Sequence, residues 1–358
     1  MLTIKHTICP SCSVGCGLNI ISKENEVVGT FPYKRHPINE GKNCLNGRNS
    51  IELFNDRIKK PSLVKNKELV DSDNDTIIGM VKDELSSIDS NELGIICSGK
   101  MTNEEIECVK SFAESFGTEN IGFYGNNFYN VDVESIDYDD ISSAKLILEI
   151  GDIIKENPLI GRRVIIAKEN GSSIISVDTV EKSITTLNSD EYIKVDSITD
   201  FVNNISIKDK LSEEAIILVN KLDEKEDLEK LEEVASETGA KLLPVLCEAN
   251  SKGALEKINS LNKDEILDII KKSKVLLVIN ANPLDYLSKN DISSGFIVNI
   301  SNFNNEFSTL SDVVLPGKTW TEKSGSFTNS CGLTQEFVPS VEIEDENLSE
   351  IEIFEKLA

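Results

Sequence analysis

With 358 residues and 39% hydrophobic content, the chain is long enough for two or three domains with apolar cores. Sixty-two acidic against 37 basic residues give a formal net charge of -25, which opposes binding to nucleic acid and to anionic membrane surfaces. No apolar run approaches the ~20 residues that cross a bilayer, and the opening MLTIKHTICP has neither a leader core nor a twin-arginine signal, so the expected compartment is the cytoplasm. The acidic runs at 223–233 and 342–346 read as solvated faces, with a basic partner or a salty cytoplasm as further readings.

Residues 3–8, 18–22 and 26–31 read as short strands of a small β-rich unit spanning 1–60. Between the first two strands lies a cysteine frame that continues past the third. Cys9, Cys12, Cys16 and Cys44 are spaced C-x2-C-x3-C-x27-C. Three thiols in one tight loop and a fourth from further along suit the corner irons of a 4Fe-4S cubane. A structural zinc site competes, but it usually draws its thiolates as two paired knuckles, and the second half here gives Cys44 alone. Disulfides fit poorly with a long chain lacking a leader. The other cysteines, Cys97, Cys108, Cys247 and Cys331, are scattered singly and read as small buried hydrophobes. Pro10, Gly15 and Gly17 in the loop, and Gly41 and Gly47 around Cys44, allow tight turns that aim amide N–H groups at sulfur. Ordinary turn glycines account for each singly, not for their pairing with cysteine. The unit has little core of its own, so a cluster would staple it.

From about residue 75 the rhythm becomes α/β. A helical pattern at 75–88 precedes an apolar strand at 93–97 and a helix at 103–116, whose Thr102 and Glu105 form a capping box. Then follow a strand at 145–150, a helix at 158–170 ended by Gly171, and a strand at 173–177. Further strands are read at 215–219, 241–246, 275–279 and 296–300, with helices at 225–238, closed by Gly239, and at 263–272. Such alternation indicates parallel sheets covered on both faces. The expected fold is α/β: the β-rich cluster domain, then doubly wound, mostly parallel lobes at 61–185 and 186–340 with their boundary within 180–212, then an acidic C-terminal tail at 341–358. No internal repeat or low-complexity tract is evident. Ligands in such sheets sit beyond the strands' carboxyl ends, here 151–152, 178–179, 280–282 and 302–306. The plain alternative is that Asn, Asp and Gly make the turns that strand ends need.

Several segments carry a resemblance: ICPSCSVGCGLNI, HPINEGKNCLNGR, TNEEIECVKSFAESFGTENI, ANSKGA, NANP and FNNEFSTLSDVVLPGKTWTEKSGSFTN, in that order. The cysteine frame followed by DVVLP-x8-G-x-F-T-N resembles the molybdopterin oxidoreductase family, above all the formate dehydrogenase catalytic subunit and the large subunit of respiratory complex I. The resemblance covers most of the chain. It implies a 4Fe-4S cluster on Cys9, Cys12, Cys16 and Cys44, and in catalytic members a molybdenum or tungsten centre held by two pterin guanine dinucleotides.

The sequence departs from that pattern at several places. Where catalytic members have a lysine two residues after the fourth cysteine, this chain has Asn46. The stretch GFYGNNFYN, with Asn126 and Asn127, has no thiol where formate dehydrogenases supply a metal ligand. Ile153 replaces the amide of the G-x-N turn, Thr179 and Val180 follow Asp178 without the usual arginine, and Leu333 stands at another arginine position. A pyrophosphate-bearing dinucleotide needs such donors to offset its charge. The chain also stops at Ala358, where catalytic members continue into a barrel over the pterins. Asp178 and Asn282 are left as residual cofactor-binding positions.

Three readings stand. One is a 4Fe-4S electron-transfer subunit of a redox complex, partnered by a ferredoxin-like protein, a flavoprotein or a hydrogenase. Another is a catalytic molybdenum or tungsten pterin subunit, of formate or formylmethanofuran dehydrogenase type, completed by a second chain. The third is a cluster-stabilised structural or maturation protein. Lys42 and Arg48, flanking Cys44, are candidates for tuning the cluster or for docking, beside the plain reading of solvated surface charge.

Overall fold

The computed structural model describes residues 2–358 apart from 56, 132–135, 294 and 343–346, so the acidic run at 342–346 falls almost wholly outside the described residues. An antiparallel three-stranded sheet comes first: β1 (Leu2–Ile8), β2 (Gly17–Lys23) and β3 (Glu26–Pro32), in the order β1-β2-β3. The middle strand is buried along nearly its whole length, with Leu18 and Ile20 fully enclosed, because it has neighbours on both sides.

The remaining strands build two larger sheets and a hairpin. In chain order they are β4 (Ser62–Lys65), β5 (Glu68–Asp71), β6 (Leu93–Cys97), β7 (Ile121–Tyr124), β8 (Leu146–Ile150), β9 (Ser173–Asp178) and β10 (Glu191–Lys194). Next are β11 (Ala215–Val219), β12 (Lys241–Pro244), β13 (Asn259–Leu261), β14 (Val275–Ile279), β15 (Phe296–Ile300) and β16 (Val313–Leu315). The last two, β17 (Gly325–Thr328) and β18 (Thr334–Phe337), pair as an antiparallel hairpin.

One sheet has the order β10-β9-β8-β11-β12 and is wholly parallel. The other has the order β13-β7-β6-β14-β15-β16-β4-β5, parallel except where β4 joins β16 and β5 joins β4. Residues alternate between the two faces as a doubly wound sheet requires. Leu93, Ile95, Val275, Leu277 and Ile279 face the helices Asn74–Ser86, Asn103–Phe116 and Glu350–Leu357, while Ile96, Leu276 and Val278 face Lys263–Lys272. Each such aliphatic side chain, removed from water, contributes about 1.5–3 kcal/mol.

The helix Asn103–Phe116 begins at the Thr102–Glu105 capping box and ends at Gly117, which takes a left-handed φ of 85°. The division into 61–185 and 186–340 does not follow the sheets. The strands on either side of 180–190, β9 and β10, are neighbours in one sheet, and the five-stranded sheet is inserted within the segment that makes the eight-stranded one. The stretch 341–358, expected as an acidic tail, ends in the helix Glu350–Leu357, whose Ile353, Phe354 and Leu357 are buried in the main core. Its acidic residues occupy the solvent face and first turn, which masks an amphipathic period.

Candidate iron–sulfur site and adjoining cleft

The turn between β1 and β2 carries Cys9, Cys12 and Cys16. The Cys9 N–H donates to the Cys16 carbonyl at 2.8 Å and closes the loop, while Gly15 supplies its left-handed turn at φ 77°. A side chain at Gly17 would strike the His36 ring, so only glycine lets the loop lie this close to the segment leading to Cys44. Asn39, almost wholly buried, joins the two parts: its Oδ1 accepts from the Gly17 N–H at 2.9 Å, and its amide donates to the carbonyls of Gly17 and Lys42. Cys44 then caps the short helix Leu45–Asn49, its sulfur accepting from the Gly47 N–H at 3.5 Å. A Cβ on Gly47 would lie 3.5 Å from the Cys9 sulfur, so that helix packs directly against the first cysteine.

Cys9, Cys12, Cys16 and Cys44 pack into one apolar cluster with Val14 and Leu18, against the five-stranded sheet. Burial, reinforced by repulsion from the neighbouring thiols, raises Cys12 to about 12 and lifts Cys16 well above its ordinary value; burial also lifts Cys9. Such thiols hold their protons until metal displaces them. Among the described residues no group of three or more Cys, His, Asp or Glu side chains is placed to hold a single metal ion. A cubane takes its thiolates at four separate irons, and four gathered thiols, two buried and two half-buried, with a backbone N–H on sulfur fit it. Lys42 and Arg48 are exposed.

The hairpin β17–β18 anchors the loop. The Ser330 N–H donates to the Ser13 carbonyl at 2.9 Å, Asn329 donates to Val14 at 3.3 Å and Gln335 to Gly15 at 3.1 Å. The Tyr138 hydroxyl donates to the Val14 carbonyl at 3.1 Å. The DVVLP-x8-G-x-F-T-N motif therefore runs from β16 in the eight-stranded sheet to the cluster loop.

A cleft opens beside the loop at the carboxyl edge of the eight-stranded sheet. It lies where the strand order reverses between β6 and β14, the expected ligand position of such sheets. One cavity of 560 Å³ is walled by Pro10 and Ser11 of the cluster loop, Asn46, and Asn280, Asn282 and Lys323 opposite. A second, of 260 Å³, shares Lys100 and Asn282 and reaches Cys247, Tyr124 and Tyr286. Asn282 is thus in the cleft. Asp178 is not among the lining residues of either cavity; it is buried at the end of β9 and ion-paired with Lys221 at 2.9 Å. The structure therefore separates these two residues onto different sheets.

The other departures have structural counterparts. Ile153 is fully enclosed in the core, Leu333 is exposed, and Asn126 and Asn127 take left-handed φ values of 49° and 68° in the turn after β7. The Asn127 amide donates to the Asp223 carbonyl at 2.7 Å. Of the scattered cysteines, Cys97 is buried as expected and Cys108 and Cys331 are half-buried, but Cys247 is exposed in the cleft.

Asn280, Asn282 and Asn302 stand at the expected strand ends, and three further features were missed in the sequence: Trp320, the Lys323 ion pairs and Glu149. In the larger cavity the amides of Asn280, Asn282 and Asn302 donate to Glu350, Asp285 and the Lys318 carbonyl, which fixes their orientation and leaves each Oδ1 without a partner. The Trp320 indole N–H is likewise buried and unpartnered. Below it, the Lys323 ammonium lies between two buried carboxylates, Glu105 and Glu350. Glu105 shows in sequence only as a capping residue, although Lys323 sits within the quoted motif. The third is Glu149, a charged residue within an apolar β8 run, enclosed with neither oxygen hydrogen-bonded.

The sequence profile of the molybdopterin oxidoreductase Fe4S4 domain matches residues 2–56, and that of molybdopterin oxidoreductase matches 57–358. The chain belongs to the molybdopterin oxidoreductase family. It is 30% identical over 287 residues to the F420-dependent formate dehydrogenase subunit alpha of Methanocaldococcus jannaschii, covering 75% of this chain and 42% of that one. With subunit alpha of F420-dependent formate dehydrogenase 1 of Methanococcus maripaludis it shares 35% over 188 residues, 48% of this chain and 28% of the relative. The chain thus spans less than half the length of these relatives. Acetylene hydratase from Pelobacter acetylenicus has the same fold, with a TM-score of 0.73 over 99% of this chain and 68% of its own, at 16% identity. Among the described residues no helix is long and apolar enough to cross a membrane.

The charges that line the cleft are mostly paired or negative. Its two lysines are committed, Lys323 to Glu105 and Glu350 and Lys100 to Glu248 at 3.6 Å, and Glu52 and Asp285 add negative charge to the walls.

Proposed function

We propose that this member of the family is a 4Fe-4S electron-transfer subunit of a redox complex, working without a complete pterin site of its own, in the cytoplasm. The observation that carries the reading is the contrast between two adjoining sites. The four-thiol nest, buried at Cys9 and Cys16 and half-buried at Cys12 and Cys44, is turned by glycine and anchored by the β17–β18 hairpin, whereas the cleft beside it offers no uncommitted cation to a phosphate. The nest's residues do three things: they exclude water from the sulfurs, present N–H groups to them, and hold the thiols in one place. A bound cluster supplies one-electron transfer, and its potential is set by that burial and hydrogen bonding. The partners are proposed to be other redox proteins, of ferredoxin-like, flavoprotein or hydrogenase type.

Metal analysis of anaerobically purified protein tests this reading. About four irons per chain, with no molybdenum, tungsten or pterin fluorescence, is the expected result; stoichiometric molybdenum or tungsten would sink it. Replacing the fourth ligand, Cys44→Ser, is expected to abolish or alter the EPR signal of the reduced cluster, and an unchanged signal would remove Cys44 from the ligand set.

A second reading, a pterin-binding catalytic subunit completed by another chain, is favoured by the unpartnered Asn280, Asn282 and Asn302 oxygens. These would accept from the amino and N–H groups of a heterocycle. The same metal analysis separates the two.

A further inference from the structure

Glu105, Lys323 and Glu350 come from three separate elements and meet in the core. Glu105 lies in the first turn of the helix Asn103–Phe116, Glu350 in the first turn of Glu350–Leu357, and Lys323 in the loop before β17. Their exposures are 2%, 0% and 9%. Lys323 contacts both carboxylates, and the Asn280 amide donates to Glu350 at 2.5 Å. With all three ionised, the group holds one uncompensated negative charge away from water, an expensive state that a single proton relieves. Lys323 and Asn280 also wall the 560 Å³ cavity whose other side is the cluster loop, at Pro10 and Ser11. The group therefore faces the candidate cluster across one cavity.

We propose that the Glu105–Lys323–Glu350 group is a redox-linked proton site, which takes up a proton when the 4Fe-4S cluster is reduced and releases it on oxidation. This rests on the iron–sulfur reading above. A one-electron donor, such as a reduced iron–sulfur protein, passes one electron to the oxidised cluster. Lys323 hands one proton to a Glu105 carboxylate oxygen and is itself reprotonated by a proton drawn from bulk solvent through the cavity, the conjugate base remaining in bulk solvent. The cluster gains one negative charge and the carboxylate loses one, so the net charge around the cavity is unchanged. No covalent bond other than O–H and N–H is made or broken.

The remaining charges near the group are already paired or solvated. Glu104 accepts from Ser326, Glu322 pairs with Arg57 at 3.2 Å and Glu352 with Lys318 at 3.2 Å. Lys356 pairs with Asp75 at 3.7 Å, Glu355 is exposed, Lys100 is held by Glu248, and the half-buried Cys108 thiol is pushed up by burial. Burial, with repulsion from Glu350, pushes Glu105 up to about 8, while Lys323 holds Glu350 below the usual carboxylate range. Reduction of the cluster raises Glu105 further, so uptake occurs above about pH 8 and ceases beyond the reduced-state value.

The test is a redox titration of the cluster-loaded full chain from pH 6 to 10, followed by the EPR signal of the reduced cluster. Presence of the signal establishes the cluster independently. In the wild type the midpoint potential is expected to be level below about pH 8 and to fall with pH above it. Glu105→Gln is expected to remove that fall. Glu350→Gln, which removes the like charge beside Glu105, is expected to move its onset to lower pH and serves if the first variant does not fold. A wild-type potential level throughout would overturn the proposal, as would a fall that persists in Glu105→Gln or an onset unmoved in Glu350→Gln. So would its loss in Glu149→Gln, which alters a different buried carboxyl.

Discussion

Replacing Lys323 by methionine is expected to destabilise the fold by about 3–5 kcal/mol, the usual cost of breaking a buried ion pair by removing one partner. Methionine fills a similar volume, so the loss reports the uncompensated Glu105 and Glu350 carboxylates rather than a cavity. Part of that cost is relieved when a carboxylate takes a proton, so the variant loses more at pH 8 than at pH 5. Denaturant unfolding of the two proteins at both pH values checks this. A loss below about 1 kcal/mol would show that the three groups are solvated, since exposed pairs contribute no more than that.

Glu149→Gln is expected to act in the opposite direction. The Glu149 side chain has no exposure and no hydrogen-bond partner; burial, then repulsion from Asp152, push it up to about 8, with Lys168 too weak an offset. Its folded value lies above its unfolded value, so folding requires proton uptake once the solution passes the ordinary carboxylate range. Stability is therefore unpenalised below about pH 4.5, falls as the pH rises towards 8, and is lower by about 5 kcal/mol above that. Glutamine has the same shape and never ionises. The variant should match the wild type at pH 5 or just below and exceed it by several kcal/mol at pH 8.5. A difference that does not change with pH would mean that Glu149 finds a partner or water in solution.

Much of the fold was legible because its strongest signals are local. The five-residue runs at 93–97, 215–219, 275–279 and 296–300 are wholly apolar or nearly so, and each is a strand with the expected limits. The helices at 103–116 and 263–272 likewise begin at capping boxes, at Thr102 and Asn262. The three- and four-residue strands β10, β13 and β16 escaped notice because so short a run shows no period. The final helix had its own signal, Ser349 with Glu352 in a capping box, hidden by acidic composition.

The four cysteines were legible as a candidate group because three of them share one tight loop, and the structure gathers all four in one cluster. The cleft was not, since its walls come from segments near residues 10, 46, 100, 280, 302 and 323, brought together by strand order. Asp178 and Asn282 both follow the strand-end rule, but two sheets have two carboxyl edges, and sequence cannot say which edge faces the cluster loop. Glu105 illustrates the same limit: its bond to the Thr102 N–H at 2.9 Å is local and was anticipated, while its ion pair lies 218 residues away.

The contacts that tie the cluster loop to the hairpin span 315 to 320 residues, from Ser13, Val14 and Gly15 to Asn329, Ser330 and Gln335. The first cysteines to be synthesised therefore gain these contacts only once the hairpin has been made. Closing so long a separation requires the intervening sheets to have formed, because only they bring the two ends together at a tolerable entropic cost. The chain's order of synthesis and its order of assembly run in opposite directions at this site. A nest of thiols that stays open until the rest of the fold exists leaves time and access for iron and sulfide to enter.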